Sequence, residues 1–358
     1  MKVLQVYKDV HPAVKGGIER YIHDLSAFLA KRGHDVTVLV AGREGRSSEV
    51  SGFRVLEYPC LCRILSNPVS PGLGAMLSEI EADVAHFHVP LPSAVMARLL
   101  SDSPTPYAVT YHSDIVRQAF LMPLYGPFLR RFLKRSSRVL VTSPVYRDTS
   151  RWLRGLRNTE VVPIGADLSK FRPDGAKSED YALFVGRFRS YKGIGTLLEA
   201  WRRFPERRLV MVGGGPLEDL VRRKRADYGL NLSIETDPDD GRLLELYRRA
   251  SFLVLPSTRR SEAFGMVQVE AMACGTPVIS TDLPTGVPWV NRNGETGIVV
   301  PPGDPEALAL AVERLFAPAL RSRLSSGALG RARSVFDSQK LFEKVEGILG
   351  EIGYGRRD

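Results

Sequence analysis

The chain has 358 residues, of which 44% are hydrophobic and 25% are charged, and its formal net charge is +10. This composition is typical of a folded protein of about two domains, and it excludes a disordered or collagen-like chain. No apolar run approaches the ~18 residues of a membrane helix, and the apolar stretch before Lys8 is too short for a secretory signal. We therefore expect a cytoplasmic protein.

Short apolar segments alternate with helical periodicity in the first half of the chain. Residues 3–6 and 35–40 have the composition of strands, and apolar positions recur at helical spacing from Gly17 to Lys31. Further strands are predicted at 53–57, 83–87, 107–111, 138–142 and 160–162. Strands separated by helices indicate parallel βαβ units in a sheet that is covered on both faces.

The alternation resumes after a polar, Pro- and Gly-containing segment between residues 163 and 180, which we interpret as a linker. Strands are predicted at 181–185, 208–212, 232–235, 252–255, 277–280 and 297–300, with helices between and after them. We predict an α/β protein with two Rossmann-like, doubly wound domains, 1–163 and 164–337, and a C-terminal helix of 338–358 that packs back on the first. A ligand is expected at the carboxyl ends of the strands, in a cleft between the domains.

Two carboxylates, Glu262 and Glu270, follow the predicted strand at 252–255. A helix is predicted to begin at Phe264, Gly265 and Met266, and its unpaired backbone amides suit an anion such as a diphosphate. Glu270 then lies ~7–8 Å along the helix, so that one carboxylate is near each end of a bound sugar nucleotide. We expect Glu270 to be mostly buried among its apolar neighbours; the alternative is two solvated carboxylates.

A second candidate site follows the strand at 181–185. Arg187 and Lys192 bracket a short loop before a helix, where two cations can hold a diphosphate and neutralise charge on a leaving group. Arg189, between them, is interpreted as solvated. In the first half, Gly16 and Gly17 allow a backbone to approach a phosphate closely, although glycines of ordinary turns have the same pattern.

Histidines occur only in the first 112 residues, and one of them is a site candidate. His112 follows the strand at 107–111, at the end of the sheet where sites form in such folds. Asp114 is a candidate acceptor-side carboxylate, or a group that supports His112. His88 flanks the end of a neighbouring strand and could line the cleft, but we favour its interpretation as a packed residue.

These motifs resemble those of the retaining GT-B glycosyltransferases of family four, through the E-x7-E pair at Glu262 and Glu270 and the Gly-Arg…Lys-Gly segment at 186–193. The resemblance extends along nearly the whole chain. It implies that Glu262 contacts the donor sugar and that Glu270 binds the ribose hydroxyls. It further implies that the glycine pair faces the donor phosphates and that His112 lies beside the donor sugar.

We predict that neither a metal nor a cofactor is required, and that a nucleoside diphosphate sugar is the substrate. No D-x-D turn stands at a strand end, and the acidic run from Asp237 to Asp240 is interpreted as a helix cap. No G-x-G-x-x-G fingerprint follows the first strand, which argues against a dehydrogenase. One departure from the family is that Glu235, Thr236 and Asp237 stand where a base-binding Gly is usual.

The segments 111–116 and 282–289 resemble enzymes of bacterial polysaccharide assembly, several of which use GDP-mannose. We therefore favour mannosyl transfer to a glycan or lipid-linked acceptor. A UDP-sugar donor, a sugar-nucleotide epimerase and a non-catalytic nucleotide-sugar-binding protein are the alternatives.

A basic segment at 129–138 follows an apolar stretch at 119–128, a combination that suits an interfacial helix on an anionic membrane. The alternative is a core helix with a solvated basic face. No nucleic-acid-binding module is recognisable, so nucleic acid is not expected as a partner.

Overall fold

The computed structural model describes residues 1–14, 16–42, 46–65, 67–116, 118–175 and 179–355. The chain divides into two compact units, one formed by Met1–Val162 with Lys340–Asp358 and the other by Pro163–Gln339. Residues 356–358 of the predicted C-terminal segment lie outside the described residues. Both units are built on a largely parallel sheet flanked by helices, which confirms the predicted α/β architecture.

The first unit contains the following strands: β1 (Lys2–Val6), β2 (Asp35–Gly42), β3 (Ser47–Val50), β4 (Phe53–Pro59), β5 (Cys62–Ile64), β6 (Asn67–Val69), β7 (Val84–Val89), β8 (Tyr107–Tyr111), β9 (Arg138–Val141) and β10 (Thr159–Val161). Its main sheet has the order β10-β9-β8-β7-β1-β2-β4-β3, and β5 pairs with β6 in a separate hairpin. The chain order reverses between β1 and β7, so this is the topological switch point of the sheet.

The edge of this sheet differs from the prediction of parallel strands alone. β3 pairs antiparallel with β4, through a two-residue turn at Ser51 and Gly52 with φ values of 50° and 83°. Positive φ at both central residues is the geometry of a tight hairpin turn, which forces the two strands to run in opposite directions.

Helices of the first unit are α1 (Gly17–Lys31), α2 (Leu73–Glu79), α3 (Pro92–Leu100), α4 (Met122–Arg135) and α5 (Pro144–Thr149). α1 buries Ile22, Leu25 and Leu29 on one face, as its periodicity predicts. The helix ends at Lys31, and Gly33, two residues beyond it, has a φ of 85°, the left-handed conformation common after a helix C-terminus.

The second unit has a sheet of β11 (Tyr181–Val185), β12 (Arg208–Val212), β13 (Leu232–Glu235), β14 (Phe252–Leu255), β15 (Val278–Thr281) and β16 (Gly297–Val300). The pairs are all parallel, in the order β13-β12-β11-β14-β15-β16, so the switch point lies between β11 and β14.

The remaining helices are α6 (Ile194–Trp201), α7 (Glu218–Asp227), α8 (Asp240–Arg249), α9 (Met266–Ala273), α10 (Val287–Val290), α11 (Pro305–Phe316), α12 (Pro318–Val335) and α13 (Ser338–Tyr354). The Asp239 carboxylate accepts a hydrogen bond from the Arg242 amide at 2.7 Å, and so caps α8 as predicted. Within the described ranges, no helix has the length and apolar character needed to cross a membrane.

Candidate active site

The candidate site of the second unit is built on two loops that leave neighbouring strands at the switch point. One loop leads from β11 through a short 3-10 helix, Ser190–Lys192, into α6. The other leads from β14 to the start of α9. Because β11 and β14 are adjacent and parallel, both loops emerge at the same edge of the sheet, where ligands bind in folds of this kind.

Main-chain contacts hold these two loops together. The Thr258 amide donates to the Tyr191 carbonyl at 2.8 Å. Gly193 has a φ of 71°, and a Cβ at this position would collide with the carbonyl of Pro256. Glycine is therefore required at this position for two reasons, the left-handed conformation and the close approach of the Pro256 carbonyl.

Lys192 and Glu262 form a buried ion pair across this junction. The Lys192 ammonium donates to Oε2 of Glu262 at 2.6 Å, and the side chains are 11% and 10% exposed. The Ser257 hydroxyl donates to the same oxygen at 3.0 Å. Burial by itself lowers the pKa of Lys192, but the attraction and hydrogen bond of Glu262 outweigh it and leave that pKa raised, so the ammonium stays charged.

Both contacts of Glu262 are made through one oxygen. Among the described residues, none donates a hydrogen bond to its Oε1. The carboxylate is thus fixed in orientation by Lys192 and Ser257 and retains an oxygen that can accept from a ligand hydroxyl.

Glu270 is held by a different partner. It is half-buried on α9, and its Oε2 accepts a hydrogen bond from the Tyr247 hydroxyl at 2.6 Å. Burial and the neighbouring Glu270 raise the pKa of Tyr247 well above its ordinary value, so the phenol keeps its proton and donates. Glu270 thus has intermediate burial, between the mostly buried carboxylate that we expected and the solvated alternative.

The start of α9 has the geometry that an anion site requires. Gly265 is the N-terminal cap with a φ of 75°, and a Cβ there would lie 2.6 Å from Cδ2 of Leu255. Met266 is the first helical residue, and Phe264 packs against the rings of Trp289 and Phe336 at 6.4 and 6.1 Å. The Gln268 amide donates to the Gly265 carbonyl at 3.0 Å, whereas the amides of Met266 and Val267 have no partner within the helix and lie at the positive end of its dipole.

Arg187 is exposed on the loop that follows β11, as is Arg189. The structure therefore separates the two predicted cations: Lys192 is buried and paired, whereas Arg187 lies at the surface. Exposure does not distinguish Arg187 from Arg189, which we interpreted as solvated.

In the first unit, His112 belongs to a chain of buried polar side chains. Its Nε2 lies 3.1 Å from Nδ1 of His88, and Nε2 of His88 lies 2.8 Å from Oε1 of Gln5. Burial lowers the pKa of His112 to about 3 and that of His88 well below its ordinary value, so both rings are neutral. His88 therefore has a polar partner on each side, which its interpretation as a packed residue did not include.

Asp114 is hydrogen-bonded within the first unit, and the glycine pair lies at the start of α1. Oδ1 of Asp114 accepts from the Tyr111 hydroxyl at 2.8 Å and from the Ser150 hydroxyl at 2.6 Å. Gly16 is the N-terminal cap of α1, and a Cβ there would collide with the carboxylate of Glu19; Gly17 has open space at its Cβ position. Gly16 thus also serves the packing of the helix start.

The analysis of motifs missed Ser257, Tyr247 and Gln5. Ser257 is a polar residue two positions after a buried strand, a signal similar to the one that identified His112. Tyr247 carries no such signal, because it lies inside a helix. Gln5 is a polar residue inside the apolar strand β1, a signal that the analysis did not use.

Comparison with known proteins identifies the family. The model described as "Glycosyltransferase Family 4" matches residues 15–170, and that of "Glycosyl transferases group 1" matches residues 167–328. The chain is 35% identical to O-antigen chain mannosyltransferase C of Escherichia coli, over 88% of this chain and 89% of the relative. It is 34% identical to the D-rhamnosyltransferase WbpZ of Pseudomonas aeruginosa, over 94% and 92%.

Solved structures have the same fold. Sucrose-phosphate synthase from Thermosynechococcus elongatus aligns with a TM-score of 0.83 at 23% identity, over 99% of both chains. Anabaena Alr3699/HepE in complex with UDP-glucose aligns with a TM-score of 0.78 at 18% identity, over 98% of this chain and 100% of the neighbour. The chain therefore belongs to glycosyltransferase family 4 and is a glycosyltransferase with the GT-B fold.

Proposed function

We propose that the protein transfers a hexose, mannose from GDP-mannose in the first instance, to a glycan or lipid-linked acceptor in the assembly of a cell-surface polysaccharide. The observation that carries the proposal is the cluster of Lys192, Glu262 and Ser257 at the switch point of the second sheet. It combines a fixed cation for a phosphate with an oriented carboxylate for a sugar hydroxyl.

The proposed chemistry is electrostatic. Lys192, Arg187 and the start of α9 stabilise the negative charge that grows on the departing diphosphate. Glu262 accepts a hydrogen bond from the donor sugar, and Glu270, oriented by Tyr247, accepts from the ribose hydroxyls. The acceptor hydroxyl attacks the face from which the diphosphate leaves, and an oxygen of the leaving phosphate takes its proton, so the anomeric configuration is retained.

Donor identity is tested by ligand-induced stabilisation, since a ligand that binds only the folded state raises the melting temperature. The mannosyltransferase relative supports GDP-mannose, whereas the UDP-glucose complex of the structural neighbour supports the alternative. We expect GDP and GDP-mannose to stabilise the protein more than the UDP, ADP and UDP-sugar series at equal concentration. A larger shift with UDP-glucose would replace the proposed donor.

Retention and independence of metal are tested in the same transfer assay. We expect an α-linked product from an α-linked donor by NMR of the anomeric proton, and unchanged turnover after EDTA treatment. A β-linked product would exclude the proposed same-face attack. Loss of activity with EDTA that is restored by a divalent cation would show that the fixed positive groups are not sufficient.

The proposal includes peripheral contact with an anionic membrane, for which α4 supplies support. One face of α4 is buried, and its opposite face carries Leu124 and Phe128, 78% and 43% exposed, followed by the exposed Arg131 and Arg135. These positions follow helical spacing over about 16 Å, so apolar and basic residues succeed one another along one stripe. Such a stripe suits a tilted helix whose apolar end enters the lipid while its cations meet the headgroups.

Vesicle sedimentation tests this contact without any need for activity. We expect the protein to pellet with vesicles that contain anionic lipid. Its affinity for these vesicles should fall about tenfold when Leu124 and Phe128 are changed to Gln. Leu310→Gln, which changes a residue 52% exposed on α11, is the matched control and should have no effect. Equal binding to neutral and anionic vesicles, or none to either, would contradict the proposal.

A further inference from the structure

The chain of buried side chains at the switch point of the first sheet has a direction. Gln5 lies on β1, His88 on the adjacent β7, and His112 directly follows β8. Their exposed fractions are 0%, 0% and 4%. The rings of His88 and His112 are inclined by 26° and their centroids lie 5.3 Å apart.

The direction of each hydrogen bond follows from Gln5, at one end of this row of side chains. The Oε1 of Gln5 can only accept, so Nε2 of His88 carries the hydrogen. A neutral imidazole has one hydrogen, so Nδ1 of His88 presents a lone pair, and Nε2 of His112 must donate to it. Nδ1 of His112 is then a lone pair, and this buried atom has no hydrogen-bond partner among the described residues.

We propose that Gln5 and His88 are positioning residues that fix the tautomer of His112, so that its Nδ1 accepts a hydrogen bond from a hydroxyl group of the donor sugar. The inference rests on the proposed function for the identity of the ligand, but the tautomer is a property of the protein itself. His86 is outside the chain: its Nε2 lies 2.7 Å from Oγ1 of Thr110, although its ring lies only 4.3 Å from that of His88.

A fixed acceptor has a chemical consequence in glycosyl transfer. Positive charge develops on the sugar ring in the transition state. A neutral ring that accepts from a hydroxyl adds electron density to that oxygen, whereas an imidazolium would place a second positive charge beside the sugar. The chain from Gln5 thus keeps His112 in the one form that does not oppose the reaction.

The tautomer is measured by long-range ¹H–¹⁵N correlation spectra of the full chain with labelled histidine, which contains only six such residues. In the ligand-free protein we expect Nδ1 of His112 to have the shift of an unprotonated nitrogen and Nε2 that of a protonated one. Gln5→Leu should give averaged shifts for both tautomers, and Gln5→Glu, which keeps an acceptor oxygen, should restore them. His86→Gln, on the same strand, is the matched control and should leave the His112 shifts unchanged.

A hydrogen on Nδ1 of His112 in the unmodified protein would overturn the inference, because the opposite orientation of the Gln5 amide reverses every bond of the chain. Unchanged shifts in Gln5→Leu would overturn it too. Both results are obtained without substrate, so they are distinct from a failure of the proposed function, which would appear as an absence of transfer.

Kinetics with monodeoxy donors test the ligand. We expect Gln5→Leu to lower kcat/KM for the intact donor about five- to tenfold, the effect of one neutral hydrogen bond. One deoxy donor, which lacks the hydroxyl that His112 binds, should have a lower kcat/KM than the intact donor with the unmodified enzyme. For this donor, Gln5→Leu should cause no further loss of kcat/KM. A loss of equal size for every deoxy donor would indicate a merely structural effect and overturn the assignment of the sugar hydroxyl.

Discussion

The two units place polar clusters at equivalent points of their sheets and give them opposite electrostatics. In the first unit, Gln5, His88 and His112 form a neutral, buried hydrogen-bonded chain across the switch point. In the second unit, Lys192 and Glu262 form a charged pair across the corresponding strands. The same topology therefore positions an uncharged acceptor in one unit and a fixed cation with its counterion in the other. Each demands a different experiment.

Removal of the cation should have the largest effect on activity. Lys192→Ala is expected to lower kcat by about 10²–10³-fold, because it removes the buried positive charge proposed to stabilise the diphosphate. The exposed Arg189, changed to Ala, is the matched control in the same loop and should retain activity.

The folded state of Lys192→Ala must be measured as well, since an unpaired buried Glu262 costs about 3–5 kcal/mol. Adding Glu262→Gln should recover most of that stability while activity stays low. If the folded Lys192→Ala enzyme turned over donor at the unmodified rate, the role of the ammonium would be disproved.

A fall in pH should destabilise the first unit more than the second. Burial lowers the pKa of His86 and His112 to about 3, well below the value of about 6.5 in an unfolded chain. The unfolded state binds more protons between these values, so the first unit should lose stability as the pH falls from about 6.5 toward 3, by up to about 1.4 kcal/mol per pH unit for each histidine. Residues 163–339 contain no histidine.

Hydrogen exchange, resolved to peptides of each unit, monitors the unfolding of the two units separately and measures this difference in stability. His86→Gln should make the pH dependence of the first unit shallower and leave the second unit unchanged. Parallel loss of protection in both units between pH 6.5 and 4 would show that the buried imidazoles do not govern acid sensitivity.

The smallest expected effect concerns the hydroxyl that orients Glu270. Tyr247→Phe removes one hydrogen bond and should raise KM for the donor about fivefold with little change in kcat. Tyr181→Phe is the matched control: it removes a similar buried bond, to the Leu246 carbonyl at 2.8 Å, and should cost stability without changing KM. Equal KM values for the two variants would remove Glu270 from donor binding.

Periodicity and strand composition were sufficient to predict the α/β alternation and most strands. They failed at β3, because the polar sequence Ser47–Val50 has no apolar alternation and its pairing depends on the turn at Ser51 and Gly52. Sequence could nominate Lys192 and Glu262 separately. Their pairing, across 70 residues, depends on β11 and β14 being neighbours, which strand order decides and local pattern does not.

The hydrogen bonds that link Gln5, His88 and His112 could not be predicted from motifs for the same reason. Each of its members lies on a different strand or strand end, and their contact depends on the order β8-β7-β1 within the sheet. A glutamine within an apolar strand is compatible with simple burial, and only the distances to His88 and onward give it a role.

Because residue 193 is a glycine, the substitutions that this protein tolerates near Lys192 are restricted in a particular way. Since main-chain atoms at 193 and 256 touch, the ammonium next to them is located by backbone geometry rather than by the packing of variable neighbours. Exposed positions such as 189 and 190 are therefore open to substitution during evolution or engineering, with the positive charge left in place. A methyl group at 193, by contrast, would push the loops apart and displace the charge without altering any residue that bears it.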